Sequence, residues 1–98
     1  MRATRMLASV EIRFDPAKNE RNIRERGIPL ASGALVLANR VGEVEDTRHA
    51  YKETRMKAFG QIDGRWFECV YTMRGDVAHI ISVHRVRQKE VMRWLAKS

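Results

Sequence analysis

The sequence predicts a small α+β domain built on an antiparallel sheet. Three observations predict it: helix start and stop signals bracket residues 16–26, two tight-turn sequences separate three strand-like segments after residue 50, and an amphipathic basic segment closes the chain. The predicted order is strand, helix, helix, three-stranded meander, helix. Helices outside an antiparallel meander are typical of the α+β class, with the first strand joining the meander in one sheet.

The first strand and the first helix follow from strong local signals. Residues 10–14 alternate apolar and charged side chains, which is the period of a half-buried strand. The side chain of Asp15 can accept from N–H groups of the first helical turn. Pro16 has no backbone N–H, so it leaves no unpaired donor at the first helical position. Gly27 reaches the left-handed conformation that ends a helix. We therefore predict a strand over 10–14 and a helix over 16–26.

A second helix and a polar segment come next. Apolar side chains recur at helical spacing across residues 29–39, which predicts a second amphipathic helix. Its buried stripe consists of Leu30, Ala34, Leu37 and Ala38. Residues 40–50 are polar and contain Gly42 and three acids, so they predict a loop or a short irregular strand.

Three strands over about 51–60, 65–73 and 77–84 form the predicted meander. Asp63-Gly64 is a strong hairpin signal between the first two, and Arg74-Gly75-Asp76 provides the second turn. With two-residue turns, the predicted cross-strand pairs are Lys57 with Glu68, Phe59 with Trp66, and Thr72 with both Glu53 and His79.

This register divides the meander into two faces. The predicted core face carries Met56, Ala58, Phe67, Cys69, Met73, Ala78 and Ile80. The second face gathers Glu53, Arg55, Lys57, Glu68, Thr72 and His79 around Val70, Ile81 and Val83. Because charged groups on a sheet face that could be covered indicate a functional surface, we place the candidate site on this second face.

The last segment and the chain length complete the architecture. Residues 85–97 place Val91, Met92, Trp94 and Leu95 among arginines and lysines, which predicts an amphipathic helix with a basic outer face. Ninety-eight residues suffice for one modest core. We predict a single domain over 10–98 and a flexible tail over 1–9.

Composition limits the partners and the kinds of site. Nineteen Lys and Arg against twelve Asp and Glu give a net charge of +7, which favours a polyanion such as nucleic acid or an acidic protein. The single cysteine, Cys69, excludes an internal disulfide, is predicted to lie in the core and fits a reducing, cytoplasmic compartment. Zinc-type spacing, a glycine-rich phosphate loop and a long apolar run are missing, so we expect neither a metal nor a cofactor nor a membrane span.

Acid–base chemistry on a phosphodiester is the remaining possibility. Metal-free RNA cleavage needs a base for the ribose 2′-hydroxyl, an acid for the leaving oxygen, and cations for the developing phosphorane charge. The candidate catalytic residues are Glu53, Arg55, His79 and His84, and the candidate RNA contacts are Lys18, Lys57, Arg74, Arg85 and Arg87. Taken one at a time, the same residues also fit a surface histidine, a strand-end cap, a salt-bridge network or plain solvation.

An ordered set of short motifs resembles the BrnT family of type II toxins. The motifs are Asp15-Pro16-x-Lys18-x-x-x-Asn22 with Gly27, Glu53-x-Arg55-x-x-x-x-Gly60, Tyr71 with Arg74, and Ile80-Ile81-Ser82 with Glu90. The resemblance covers about residues 11–92. It implies a RelE-like ribonuclease fold, metal-independent RNA cleavage that halts translation, and neutralisation by a BrnA-type antitoxin. Such an antitoxin carries a ribbon-helix-helix domain, so operator DNA would be bound only through the complex.

The chain departs from the family pattern at three places. The family has Lys-His before the glycine, where this chain has Glu25-Arg26, and it has arginines at the positions of His79 and His84. Histidine keeps a cation available but makes its charge depend on pH. Two alternatives therefore stand beside the toxin hypothesis: a catalytically weak homologue that partners the antitoxin in a DNA-bound repressor, and a plain nucleic-acid-binding module.

Overall fold

A computed structural model describes residues 11–97, and the flexible tail predicted for residues 1–9 lies outside the described residues. The elements are β1 (Glu11–Phe14), α1 (Pro16–Arg26), a short 3₁₀ helix (Leu30–Ser32), α2 (Gly33–Ala38), β2 (Arg40–Glu45), β3 (Met56–Ile62), β4 (Arg65–Arg74), β5 (Val77–Arg85) and α3 (Gln88–Ala96). The strands form one sheet in the order β1-β5-β4-β3-β2. The predicted α+β class is confirmed.

The sheet is mixed, which corrects the expectation of a purely antiparallel one. Strand β1 runs parallel to β5, and the other neighbouring pairs are antiparallel. The tight turns predicted from sequence fix the directions of β3, β4 and β5 only. The long connection after β1 leaves its direction to tertiary packing, and no local signal encodes that packing.

The segment before the meander agrees with one of its two predicted alternatives and moves the start of the next strand. Residues 40–45 form a short irregular strand, β2, which pairs with β3 at the edge of the sheet with a register shift between Arg40 and Gly42. Strand β3 begins at Met56, five residues later than the predicted 51–60. Residues 46–55 are therefore a loop, and Glu53 lies in this loop and not on a strand.

The register between β3 and β4 is shifted by two residues from the prediction. Lys57 lies opposite Val70, and Phe59 lies opposite Glu68. Because side chains alternate along a strand, a shift of two residues keeps each one on its predicted face. The predicted pairs were wrong, but the two faces of these strands were right.

A bulge changes the faces of β5. Val70 pairs with Ser82 and Tyr71 pairs with Ile80, so Ile81 is the extra residue. The bulge moves Val83 to the core face, opposite Cys69, which corrects its predicted place on the second face. The predicted pair of Thr72 with His79 is confirmed. The predicted pair of Thr72 with Glu53 is wrong; the Thr72 hydroxyl instead donates to the Thr54 carbonyl at 2.7 Å.

The core lies between the first face of the sheet and the α2 region. Its buried members are Leu30, Val36, Leu37, Ala58, Cys69, Tyr71, Ala78, Ile80 and Val83, with Met56 and Phe67 packed against them. Met73 was predicted to lie in this core but is about half exposed, because it sits near the end of β4. A Cβ on Gly60 would approach the Val36 carbonyl oxygen to 2.6 Å, so only glycine fits where α2 crosses β3.

Helix α1 begins and ends where its sequence signals predicted. The Asp15 carboxylate accepts from the Ala17 N–H at 3.0 Å, and Gly27 has φ of 71°. Inside the helix, the buried Asn22 amide donates to the Val83 carbonyl at 2.9 Å and accepts from the Val83 N–H at 3.4 Å. Strand β1 pairs with β5 only as far as Ile80. Beyond that residue, the Asn22 side chain makes the hydrogen bonds to β5 that a neighbouring strand would make.

Helix α3 covers part of the second face. Val91 is fully buried there with Phe59 and Val44, and Trp66, Val86, Trp94 and Leu95 pack around them. The amphipathic helix predicted in this region is confirmed. Its apolar side packs on one end of the second face. The other end of that face stays open beside α1.

Candidate functional site

An open groove at the uncovered end of the second face brings together five of the predicted site residues. We call it the His79 groove. Its lining consists of Phe14, Asp15, Lys18, Glu53, Arg55, Thr72, Arg74, His79, Ile80 and Ile81. Lys18 comes from the start of α1, Arg74 from the end of β4 and His79 from β5, while Glu53 and Arg55 come from the 46–55 loop. Segments far apart in sequence thus converge on one surface.

Arg74 is the central polar contact of this groove. Its guanidinium donates from Nε to Glu53 Oε1 at 2.9 Å and from Nη2 to Glu53 Oε2 at 3.1 Å, a two-bond fork. Its Nη1 lies 3.5 Å from His79 Nδ1. The hydrogen bonds from Arg74 lower the pKa of Glu53, and the same pairing raises the pKa of Arg74. The groove therefore presents an ionised carboxylate, a fixed cation and an imidazole in mutual contact.

The tautomer of His79 follows from this contact. A guanidinium has only donors, so a hydrogen bond with it requires Nδ1 of His79 to act as the acceptor. In the neutral ring the proton then sits on Nε2. This arrangement keeps a lone pair on Nδ1, directed at Arg74.

The groove continues along α1 as a second cationic depression. Its lining consists of Lys18, Arg21, Asn22, Glu25, Arg26, Arg55, Ile81 and Ser82. Lys18, Arg55 and Ile81 belong to both depressions, so the two form one continuous surface. Cations outnumber carboxylates along it, which suits a chain of phosphates more than a single small ligand.

The 46–55 loop holds Arg55 in place through contacts that sequence reasoning missed. The Arg55 guanidinium carbon lies 4.0 Å from the centroid of the Tyr51 ring, a cation–π stack. The Tyr51 hydroxyl donates to Asp46 Oδ2 at 3.4 Å, and the Asp46 N–H donates to the Arg55 carbonyl at 2.8 Å. Asp46 is buried, and its fork with Arg48 (2.9 Å for both bonds) lowers its pKa to about 2. The signal available in the sequence was the close spacing of Asp46, Arg48, Tyr51 and Arg55.

Two other predicted site residues lie elsewhere, beside the buried Glu68. Lys57 Nζ and His84 Nε2 lie 3.8 and 3.6 Å from Glu68 Oε2, and the Lys57 ammonium also lies 4.1 Å from the centroid of the Trp94 ring. Lys57 is 3% exposed and Glu68 is 2% exposed. We call Lys57, Glu68 and His84 the buried charge group. Lys57 therefore has no free surface to offer to RNA, and His84 does not meet His79.

Burial sets the protonation of this second group. It raises the pKa of Glu68 and lowers the pKa of His84, and Arg26 lowers the latter further. His84 Nδ1 is buried and has no hydrogen-bond partner. Burial thus opposes charge on both groups, and the Lys57 ammonium beside Glu68 counteracts the rise in the pKa of that carboxyl.

Arg85 and Arg87, the remaining predicted RNA contacts, are exposed at the junction of β5 and α3. They line a shallow surface pocket with Val86 and Glu90, apart from the His79 groove. Cys69 is buried as predicted, and burial raises its thiol pKa to about 12. Neither location adds a reactive group to the groove.

The described residues, 11–97, contain no cluster of three or more His, Cys, Asp or Glu side chains arranged to hold a metal ion. The donor set of the groove agrees with that finding, since Glu53 gives both oxygens to Arg74. In the same part of the chain, every helix is too short or too polar to cross a bilayer.

Comparison with known proteins places this geometry in a family. The sequence model of the family described as ribonuclease toxin, BrnT, of type II toxin–antitoxin systems matches residues 14–90. A comparison with the curated proteins gives no match. The family match includes all the residues of the His79 groove and of the buried charge group. Because it spans most of the 98 residues, the chain belongs to the BrnT family of ribonuclease toxins.

Proposed function

We propose that this chain is a metal-independent endoribonuclease that cleaves RNA in the His79 groove and thereby inhibits translation in the cytoplasm. The observation that carries the proposal is the convergence of Lys18, Glu53, Arg55, Arg74 and His79 on one open surface. A candidate base and the cations that phosphodiester cleavage requires are present there, and the groove continues in a cationic track along α1.

The reaction starts with the ribose 2′-hydroxyl of the substrate. Its oxygen forms a bond to the adjacent phosphorus, and the bond from phosphorus to the 5′ oxygen breaks, which leaves a 2′,3′-cyclic phosphate and a 5′-hydroxyl end. His79 Nδ1 takes the proton from the 2′-hydroxyl. The groove is open, so water supplies the proton for the leaving 5′ oxygen.

Arg74 links substrate binding to the release of this base. In the free protein the Arg74 guanidinium donates two hydrogen bonds to the Glu53 carboxylate and contacts His79 Nδ1. A phosphate competes for the same planar fork, because guanidinium binds both oxyanions in two-bond geometry. Once Arg74 turns to the phosphate, His79 Nδ1 is free to accept a proton, and Glu53 is free to stabilise the imidazolium that forms.

Cations complete the site. Arg55 and Lys18 lie where the groove and the α1 depression join, so they are suited to the phosphorane charge and to the next phosphate. Arg85 and Arg87 remain proposed contacts for RNA that extends beyond the groove. The proposal assigns Lys57 and His84 no contact with RNA, because Lys57 is buried and both side chains lie against Glu68, away from the His79 groove.

The proposed partner is a BrnA-type antitoxin with a ribbon-helix-helix domain. Membership of a type II toxin family implies an antitoxin protein. The net charge of +7 favours an acidic or amphipathic segment of that partner over the groove. The pair would bind operator DNA through the antitoxin and repress its own promoter.

Induced expression with and without the antitoxin gene tests the proposal. Expression of the unaltered chain alone should arrest growth and deplete RNA. The triple variant Glu53→Ala/Arg55→Ala/His79→Ala should grow normally, and Arg65→Ala, at the opposite end of β4 from Arg74, is the matched control that should remain toxic. Normal growth with intact RNA, despite verified folded toxin, would contradict the enzyme and favour the weak homologue in a repressor complex.

A cleavage assay with purified protein tests the chemistry directly. Cleavage should continue in excess EDTA and should yield a 2′,3′-cyclic phosphate end. RNA with a 2′-O-methyl group at the cleaved nucleotide should resist, because no proton or nucleophile is left at that oxygen. Loss of cleavage in EDTA that added Mg²⁺ restores would overturn the metal-independent mechanism.

A further inference from the structure

The 46–55 loop forms a second pocket directly beside the His79 groove. Its lining consists of Glu45, Asp46, Thr47, His49, Ala50, Tyr51, Lys52, Glu53, Thr54 and Arg55. Glu53 and Arg55 also line the His79 groove, so the two sites share a wall. Whatever occupies this loop pocket is therefore adjacent to the phosphate-binding cations.

Flat groups that suit a nucleobase are gathered in this pocket. The His49 and Tyr51 rings meet edge to face, with centroids 5.6 Å apart, and the Arg55 guanidinium stacks on the Tyr51 ring at 4.0 Å. His49 is exposed, and Tyr51 and Arg55 are partly exposed. Aromatic rings and guanidinium planes are the surfaces on which proteins stack unpaired bases of single-stranded RNA.

The loop is preformed despite its length. Asp46 is buried and satisfied by Arg48, and it holds both the Tyr51 hydroxyl and the backbone at Arg55. Holding the ring and the guanidinium in place before binding lowers the entropy cost of stacking a ligand on them. An unsupported polar loop would offer the same residues without this advantage.

We propose that the loop pocket is a nucleobase subsite, in which the base of a nucleotide next to the cleaved phosphate stacks against Tyr51, His49 and Arg55. The inference rests on the proposed cleavage of RNA and adds that the protein binds a base as well as the phosphates. Arg55 then serves both parts of the substrate: its charge faces the phosphate and its plane belongs to the stack.

Paired binding measurements test the subsite without relying on cleavage. The probes are a fluorescent single-stranded RNA with 2′-O-methyl riboses and an abasic oligomer of the same length, which has the same phosphates but no bases. Tyr51→Leu removes the ring and keeps an apolar side chain. Anisotropy titrations should show about tenfold weaker binding of the RNA and less than a twofold change for the abasic oligomer.

Two further variants complete the design. Tyr51→Phe keeps the ring and loses only the 3.4 Å hydrogen bond to Asp46, so its RNA binding should be much closer to that of the unaltered protein than the binding of Tyr51→Leu is. His49→Leu changes an exposed side chain, and it should weaken RNA binding selectively in the same sense as Tyr51→Leu. It keeps the test valid if Tyr51→Leu does not fold.

The outcomes separate this inference from the proposed function. Equal losses on both probes would mean that Tyr51 only positions the charge of Arg55, and the base subsite would be wrong. Unchanged RNA binding by Tyr51→Leu and His49→Leu would also overturn it. In either case, continued cleavage of RNA by the unaltered protein would leave the proposed function intact, whereas absence of that cleavage would contradict the proposed function alone.

Discussion

Two groups at the second face of the sheet each combine a carboxylate, a cation and a histidine, in opposite surroundings. Glu53, Arg74 and His79 form an exposed acid–cation–histidine contact in the open groove. Lys57, Glu68 and His84 form a corresponding contact beside α3, where the lysine and the glutamate are almost fully buried. The two groups differ in their cation, arginine or lysine, and above all in burial, which separates an open surface from a packed interior.

This contrast shows why residue type alone does not locate a site. In the exposed group, Arg74 can exchange its carboxylate partner for a phosphate because water surrounds both partners. In the buried group, either charge without the other would be left in an apolar environment, so the partners are fixed. Substitutions should therefore change activity in the first group and stability in the second.

Removal of the histidine from the exposed group should give the largest effect. His79→Ala should lower kcat for RNA cleavage by about 10²–10⁴-fold, the usual contribution of a general base. The midpoint of thermal unfolding should stay close to that of the unaltered protein, because His79 lies at the groove surface. Cleavage kinetics measure the loss of kcat, and a thermal melt of the same preparation measures the unfolding midpoint. Full activity of His79→Ala would remove His79 from the mechanism.

Breaking the buried group should give a stability effect of comparable size. Glu68→Leu leaves the Lys57 ammonium buried without its carboxylate, which should lower the free energy of unfolding by about 3 kcal/mol. The double variant Lys57→Met/Glu68→Leu should recover most of that loss, since neither charge remains. Urea unfolding measures both variants. If the double variant is no more stable than the single one, the two charges are not coupled as the structure indicates.

A conservative change of the exposed cation should have a smaller effect. Arg74→Lys keeps the charge but loses the planar fork that holds Glu53 and would hold a phosphate. We expect about a tenfold lower kcat/KM, from the loss of roughly one oriented hydrogen bond to a charged group. Arg65→Lys is the control at the other end of β4. Equal losses in both variants would indicate a general charge effect.

The smallest predicted effect concerns pH and the buried histidine. Charged groups that influence His84 are Arg26, Arg48, Lys57, Glu68 and Glu90. The pKa of His84 in the folded protein lies below the usual 6.5, so the unfolded chain binds the proton more readily. The stability that the neutral His84 contributes above pH 6.5 is therefore lost as the pH falls through the folded pKa. Between pH 7.5 and 5.5, His84→Leu should therefore lose less stability than the unaltered protein, as urea unfolding at both pH values will show. A larger loss in the variant would mean that the folded pKa is raised.

Local signals predicted the parts of the fold that depend on neighbouring residues. Asp15, Pro16 and Gly27 set the ends of α1 by capping and by backbone conformation, and those ends are where the sequence placed them. The turn at Asp63-Gly64 also follows from its own backbone preference, with both residues at positive φ. The parallel pairing of β1 and the bulge at Ile81 depend on contacts between residues distant in sequence, so no local sequence pattern predicted them.

The candidate site was partly predictable for the same reason. The sequence indicated the charged face and the residue types, but not that Lys57 and His84 would lie against the buried Glu68 while His79 lines an open groove. Nor did it indicate the role of residues 46–55, because the cation–π stack of Arg55 on Tyr51 arises from the path of the loop. Which residues meet in the groove is a property of tertiary packing.

The Asn22 amide has a consequence for how the protein behaves at high concentration. An uncovered strand edge is a template onto which another chain can add, the first step of edge-to-edge aggregation. Asn22 occupies both the N–H and the carbonyl of Val83, the two groups that an incoming strand would need there. The Asn22 side chain thus closes this stretch of β5 to an incoming strand, and loss of its amide would expose the Val83 N–H and carbonyl to self-association.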